Sequence, residues 1–166
     1  MPDLSSLLAT IPDDLKPLVA LGIGAVMLVL LVMFHGAGLH FILVLRKRRE
    51  RRLRLERPHL VAAFLLFGWS VFLLLSLHIA EFMMWAYTLT YLGLIARAYD
   101  AIYFCANAYT TLGYGSVDLE THWRLISPII GISGLFTFAW TTSALIDVVS
   151  LHRQLIDQLE DDRERN

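Results

Sequence analysis

The sequence predicts an all-α membrane protein with three transmembrane helices and a short re-entrant helix followed by an extended segment. Of the 166 residues, 57% are apolar and only 17% are charged, and the mean hydropathy is +0.59. A soluble domain has about 45–50% apolar and about 25% charged residues. The composition therefore argues against a soluble or disordered chain and against a nucleic-acid-binding protein. It predicts a lipid bilayer as the surroundings of the chain.

Three long runs without Asp, Glu, Lys or Arg predict the three spans. They cover residues 18–45, residues 60–80 with a continuation after Glu81 through residue 96, and residues 125–146. A bilayer core needs about 20 apolar residues per helix, so each run is long enough to cross it.

The distribution of basic residues predicts the orientation of the chain. Residues 46–57 hold eight Lys and Arg residues between the first two spans, and such residues favour the cytoplasmic side. We therefore expect an extracellular segment at 1–17, a basic cytoplasmic linker at 46–59 and a charged cytoplasmic tail at 152–166, in a cell (inner) membrane. The basic residues at 46–57 are also suited to contact anionic lipid.

Residues 97–122 connect the second and third spans on the expected outer side. The stretch ARAYDAIYFCANAYTTLGYGS is too apolar for a solvated loop and too short to cross the membrane and return as two helices. A short re-entrant helix followed by extended backbone fits it. Non-helical backbone at membrane depth is tolerated only where it is buried in protein or lines a watery path. The segment therefore implies a pore or a cavity.

This segment contains the string TTLGYG at residues 110–115, which resembles the selectivity filter of the potassium channel family, usually written TTVGYG. The resemblance covers about residues 60–150 and leaves the first span outside it. It implies a pore domain at 60–151 with an outer helix, a pore helix from Arg97 to about Thr110, the filter and an inner helix. The residues that it assigns to the ion-binding filter are Thr111, Leu112, Gly113, Tyr114 and Gly115.

In that family, four copies of the filter direct backbone carbonyl oxygens toward a potassium ion and replace its water shell. Glycine suits such a loop because it adopts left-handed backbone conformations readily. Since one chain supplies one copy, the resemblance implies a homotetramer. It further implies a potassium-selective channel that conducts passively, with K+ as the permeant ion, no cofactor, no other metal and no enzymatic activity.

The sequence departs from the family pattern behind the filter. Asn107 and Ser116 occupy positions where many members have acids that brace the filter, and Leu112 replaces the usual valine. The resemblance assigns Asn107, Thr110 and Ser116 to filter support. Because an amide and a hydroxyl brace less strongly than two carboxyls, a weakly selective cation pore or a poorly conducting subunit stays an alternative.

One face of the third span is small and hydroxylated, and we expect it to line the pore. Small residues also favour close helix packing in membranes, which is the alternative for this face. Gly131 and Gly134 on the same helix allow either a bend or a close contact. At 100° per residue, the pore-lining candidates are Ser133, Thr137, Thr141, Ala144 and Asp147.

Ionisable residues within predicted spans are functional candidates. For His78 and Glu81, one turn apart and near the expected pore helix, we expect a structural hydrogen-bonded role, with proton sensing as the alternative. A membrane metal site is the more remote alternative, because it would need three or four convergent ligands. That alternative uses His35, His40, His78 and Glu81. We further expect an inert, buried thiol at Cys105.

Overall fold

The computed structural model describes residues 4–55, 60–115 and 117–164, and the chain is helical through most of these ranges. No strand occurs among the described residues, so the predicted all-α fold is confirmed. The elements in chain order are α1 (Leu4–Ala9), α2 (Lys16–Leu55), α3 (Leu60–Tyr91), α4 (Ala98–Tyr109), a single 3₁₀ turn (Thr121–Trp123) and α5 (Ile126–Glu164).

Within the described part of the chain, three segments are long and apolar enough to cross a membrane: Lys16–Arg51, Val61–Tyr91 and Thr121–Gln158. They match the three predicted spans. The first and third extend beyond the uncharged runs, whereas the second ends at Tyr91, before the end of its run at residue 96. Glu81 does not interrupt α3, because its carboxyl group is fully buried and hydrogen-bonded instead of marking a membrane surface.

The basic segment that follows the first span is helical, whereas we expected a linker from residue 46. α2 continues without a break to Leu55. Lys, Arg, Leu and Glu are strong helix formers, so their sequence favours continuation of the helix. Residues 56–59 lie outside the described residues. The charged tail is likewise a continuation of α5 through Glu164.

Two compact units make up the chain, and each has its own apolar core. The first unit comprises residues 1–34 and 78–137, and the second comprises residues 35–77 and 138–166. The core of the second unit contains Leu39, Ile42, Leu74, Leu77 and Ala144.

The short helix α4 is anchored in the core of the first unit by one face. Its buried residues are spaced as i, i+3, i+4 and i+8, which places them on one side of a helix. They pack in a cluster that also contains Trp85 and Leu89 of α3 and Ile126 and Ile130 of α5. The buried residues of α4 are Ala101, Phe104, Cys105 and Tyr109.

Gly131 and Gly134 bring α5 against the end of α4. A Cβ atom at Gly134 would overlap the backbone carbonyl oxygen of Tyr109, and one at Gly131 would lie 3.3 Å from the carbonyl oxygen of Ala108. α5 is continuous from Ile126 to Glu164. These glycines therefore serve a close contact between helices, which is one of the two roles that the sequence allowed.

The close approach at Gly134 predicts a stability defect for Gly134→Ala. The added methyl group meets backbone that cannot rotate away, and overpacking of this kind costs about 1–3 kcal/mol. Thermal unfolding of the purified protein in detergent should therefore show a lower Tm for this variant. Gly68→Ala is the matched control, because a Cβ at Gly68 meets nothing within 4 Å. Equal Tm values for the two variants would contradict the packing described.

Candidate functional site

A sharp turn connects α4 to the extended loop that follows it. The backbone N–H groups of Thr110, Thr111 and Leu112 donate to the carbonyl oxygens of Ala106, Ala108 and Asn107, each at 3.0 Å. These bonds satisfy the last carbonyls of the helix, as a helix C-terminus requires. α4 therefore ends close to the predicted limit of the re-entrant helix, with Arg97 and Thr110 as its cap residues.

Left-handed backbone conformations alternate along the loop. The φ angles are 60° at Thr111, 68° at Gly113 and 126° at Gly115. Glycine adopts such conformations without steric penalty, whereas a β-branched residue such as Thr111 does so rarely. The expectation that glycines at 113 and 115 supply left-handed backbone agrees with these angles.

Five consecutive carbonyl oxygens in this loop receive no hydrogen bond from the part of the chain that the structure describes. Among the described residues, no N–H or O–H group donates to the carbonyls of residues 111–115. All five residues are exposed, and Leu112 and Tyr114 are 62% and 73% exposed. The loop therefore presents five acceptors that the described part of the chain leaves free, together with two large exposed side chains.

The loop is flanked by open space within its own chain. Cavities of about 420 Å³ and about 300 Å³ both touch Asn107, Ala108 and Gly113. The smaller one extends to Ile132 and Leu135 on α5. α4 and α5 of the same chain therefore leave the sides of the loop uncovered.

Behind the loop, a single hydroxyl group joins three helices of the first unit. The Tyr109 hydroxyl donates to the Glu81 carboxylate in a short hydrogen bond, lies 2.8 Å from Nδ1 of His78 and lies 2.7 Å from the Thr137 hydroxyl. All four side chains are buried. These contacts agree with the hydrogen-bonded structural role expected for His78 and Glu81. Sequence reasoning missed Tyr109, which ends α4 immediately before Thr110.

Two of the predicted pore-lining residues are packing residues. Ser133 and Thr137 are fully buried within one chain. Ser133 accepts a hydrogen bond from the Trp85 indole at 3.1 Å, and Thr137 bonds to Tyr109. Association with further copies can only increase this burial, so the prediction that these two side chains line a watery path is wrong. The hydroxyl groups join α5 to neighbouring helices instead.

The remaining pore-lining candidates lie in the second unit and differ from one another. Ala144 is 6% exposed and belongs to the apolar core there, so it does not line open space either. Thr141 is half-buried, and its hydroxyl lies 3.2 Å from Nε2 of His35. Asp147 is exposed. A pore-lining role for Thr141 and Asp147 stays a prediction.

The predicted filter-support side chains point back to their own helix. The Asn107 amide donates to the Tyr103 carbonyl at 2.8 Å, and the Thr110 hydroxyl donates to the Ala106 carbonyl at 2.7 Å. Ser116 lies outside the described residues. The brace between Asn107 and Ser116 therefore stays a prediction.

The remaining candidates from the sequence are Cys105 and the residues of the alternative metal site. Cys105 is fully buried, and burial raises the pKa of its thiol to about 12, which agrees with an inert residue. His40 is exposed on α2, whereas His78 and Glu81 are buried in the first unit. The metal site considered as an alternative stays a prediction.

The Tyr109 contacts predict a stability defect for Tyr109→Phe. Loss of the hydroxyl deprives the buried Glu81 carboxylate of this donor, which costs about 1–3 kcal/mol. Thermal unfolding in detergent should show the loss as a lower Tm. Tyr99→Phe is the matched control, because Tyr99 lies on the same helix but is 77% exposed. If both variants unfold at the wild-type temperature, the hydroxyl does not hold the three helices together.

One comparison with known proteins identifies a match. A family model described as an ion channel matches residues 60–150, which include α3, α4, the loop and the first part of α5. No curated protein matches the chain, and no solved structure matches it.

Proposed function

Since the chain belongs to the ion channel family, we propose that it conducts potassium ions selectively and passively across the membrane through the loop at residues 111–115. The observation that carries this proposal is the row of five carbonyl oxygens without donors among the described residues. A dehydrated cation needs oxygen ligands to replace its water shell, and backbone carbonyls supply them in channel filters. The C-terminus of α4, which precedes the loop, adds partial negative charge that favours a cation.

The working unit that we propose is a homotetramer. One loop supplies carbonyl oxygens from one side only, so a closed ring of oxygens needs several copies around an axis. The exposure of Leu112 and Tyr114 and the cavities beside the loop support this assembly. Exposed apolar surface of this kind is typical of surfaces that become covered by a partner.

The orientation that we propose follows from the basic residues. Residues 46–57 lie on the cytoplasmic side of a cell membrane, the N-terminus lies outside, and α5 ends inside. Asp147 then lies where the uncharged run of α5 ends toward the cytoplasm, and four acids there would concentrate cations.

Flux into vesicles tests the selectivity. We expect reconstituted wild-type protein to load a potassium tracer at least tenfold faster than a sodium tracer. Gly113→Ala should abolish loading, because Gly113 has a φ of 68° and an L-residue in that conformation is strained by about 1–2 kcal/mol. No neighbouring atom lies within 4 Å of the added Cβ, so the effect comes from the backbone conformation itself.

Gly68→Ala serves as the control for the flux assay, because its Cβ meets open space in a helix. It should load potassium like the wild type, and all three proteins should have the same oligomeric size in detergent. Equal potassium and sodium flux would support a weakly selective cation pore instead. Conduction by a monomer or dimer would contradict the tetramer.

A further inference from the structure

A cavity of about 410 Å³ in the second unit lies beside the C-terminal part of α2 and is rich in charge. Its basic lining residues are Arg46, Lys47 and Arg51, and its acidic lining residues are Glu50 and Asp147. Three cations and two carboxylates leave the lining with an excess of one positive charge. A charged cavity of this size has room for a small anionic group.

Arg46 is the unusual residue in this cavity. Its side chain is buried, with only 4% of the residue exposed, and its Nε and Nη1 atoms have no hydrogen-bond partner in the described part of the chain. Two buried guanidinium nitrogens without an acceptor are costly, since they have lost their hydration and gained no hydrogen bond. The neighbouring basic residues Lys47 and Arg48 are exposed and remain hydrated. Because Arg46 also lines the cavity, a turn of its side chain toward the cavity offers these donors to a ligand there.

The position of the cavity along α2 indicates where such a ligand comes from. The apolar span that begins at Lys16 ends at Arg51, so Arg46 lies within its last two turns. This level of a membrane helix lies near the lipid headgroups. Basic pockets between transmembrane helices bind the phosphate groups of anionic lipids, and the planar guanidinium group matches phosphate oxygens in a two-pronged geometry.

We propose that this cavity binds a phosphate group, with the Nε and Nη1 atoms of Arg46 as the donors and with Lys47 and Arg51 adding positive charge. The site differs from general attraction between basic residues and a lipid surface, because it depends on one buried side chain. It does not rest on potassium selectivity or on the loop at residues 111–115. A lipid headgroup and a phosphate-bearing solute share this chemistry, and the experiment separates them.

Native mass spectrometry of the delipidated full-length protein in an uncharged detergent measures the binding. The probes are phosphatidylglycerol, inorganic phosphate and, as the phosphate-free lipid, diacylglycerol. We expect phosphatidylglycerol to bind and diacylglycerol not to bind. Arg46→Gln should weaken phosphatidylglycerol binding about tenfold or more, the effect of losing charge-assisted hydrogen bonds. Arg48→Gln, which removes the same charge from an exposed position outside the cavity lining, should bind like the wild type.

Binding of inorganic phosphate distinguishes a lipid headgroup from a phosphate-bearing solute as the ligand. Arg46-dependent binding of phosphatidylglycerol alone identifies the ligand as a lipid headgroup, and Arg46-dependent binding of inorganic phosphate as well identifies a site open to solutes. Equal effects of Arg46→Gln and Arg48→Gln, or binding of diacylglycerol as tight as that of phosphatidylglycerol, would overturn the proposal.

Thermal unfolding without added lipid or phosphate distinguishes a binding role of Arg46 from a structural one. The Tm of Arg46→Gln should equal or exceed that of the wild type, because the substitution removes a buried charge whose Nε and Nη1 atoms have no hydrogen-bond acceptor in the described part of the chain. With saturating phosphatidylglycerol, the wild type should gain more in Tm than the variant. A lower Tm of Arg46→Gln without any ligand would assign Arg46 to the packing of α2 and overturn the proposal.

Discussion

The backbone carbonyl oxygens of residues 111–115 set the strongest constraint on this structure. Backbone acceptors at membrane depth must be satisfied by protein, by water or by ions, because lipid offers no donors. The described part of the chain supplies no donor for residues 111–115. The chain is a multi-pass membrane protein of the ion channel family, and cations and water are the partners that we propose for these oxygens. The proposed assembly of several copies covers the exposed side chains of the same loop.

The packing around α4 serves to hold the start of the loop in place. Tyr109 closes the helix, and its hydroxyl contacts Glu81 and Thr137 on the two adjacent long helices. Because Gly134 has no side chain, the backbone carbonyl of Tyr109 can lie against α5. The hydrogen bond between Trp85 and Ser133 joins α3 to α5 nearby. Rigid support of this kind is what a binding loop needs if its acceptors are to stay in a fixed arrangement.

Composition and run length were sufficient to predict the all-α fold, the three spans and the short helix before the loop, because bilayer thickness limits helix length. The helical period identified the small, hydroxylated face of α5 but could not tell which neighbour it faces. Ser133 and Thr137 suit a watery path and a packed interface equally well by size and polarity, and only their bonds to Trp85 and Tyr109 decide between the two. The sequence likewise could not predict that Arg46 is buried, because Arg46 is one of eight Lys and Arg residues at positions 46–57.

An experimental structure of the assembled protein, determined once in potassium and once in sodium, tests the proposed function most directly. We expect four chains around one axis, with the carbonyl oxygens of residues 111–115 converging on a row of ion density in potassium. The same row should be weakened or rearranged in sodium. Carbonyl oxygens that turn away from a shared axis, or that are bonded to donors of a neighbouring chain, would contradict it.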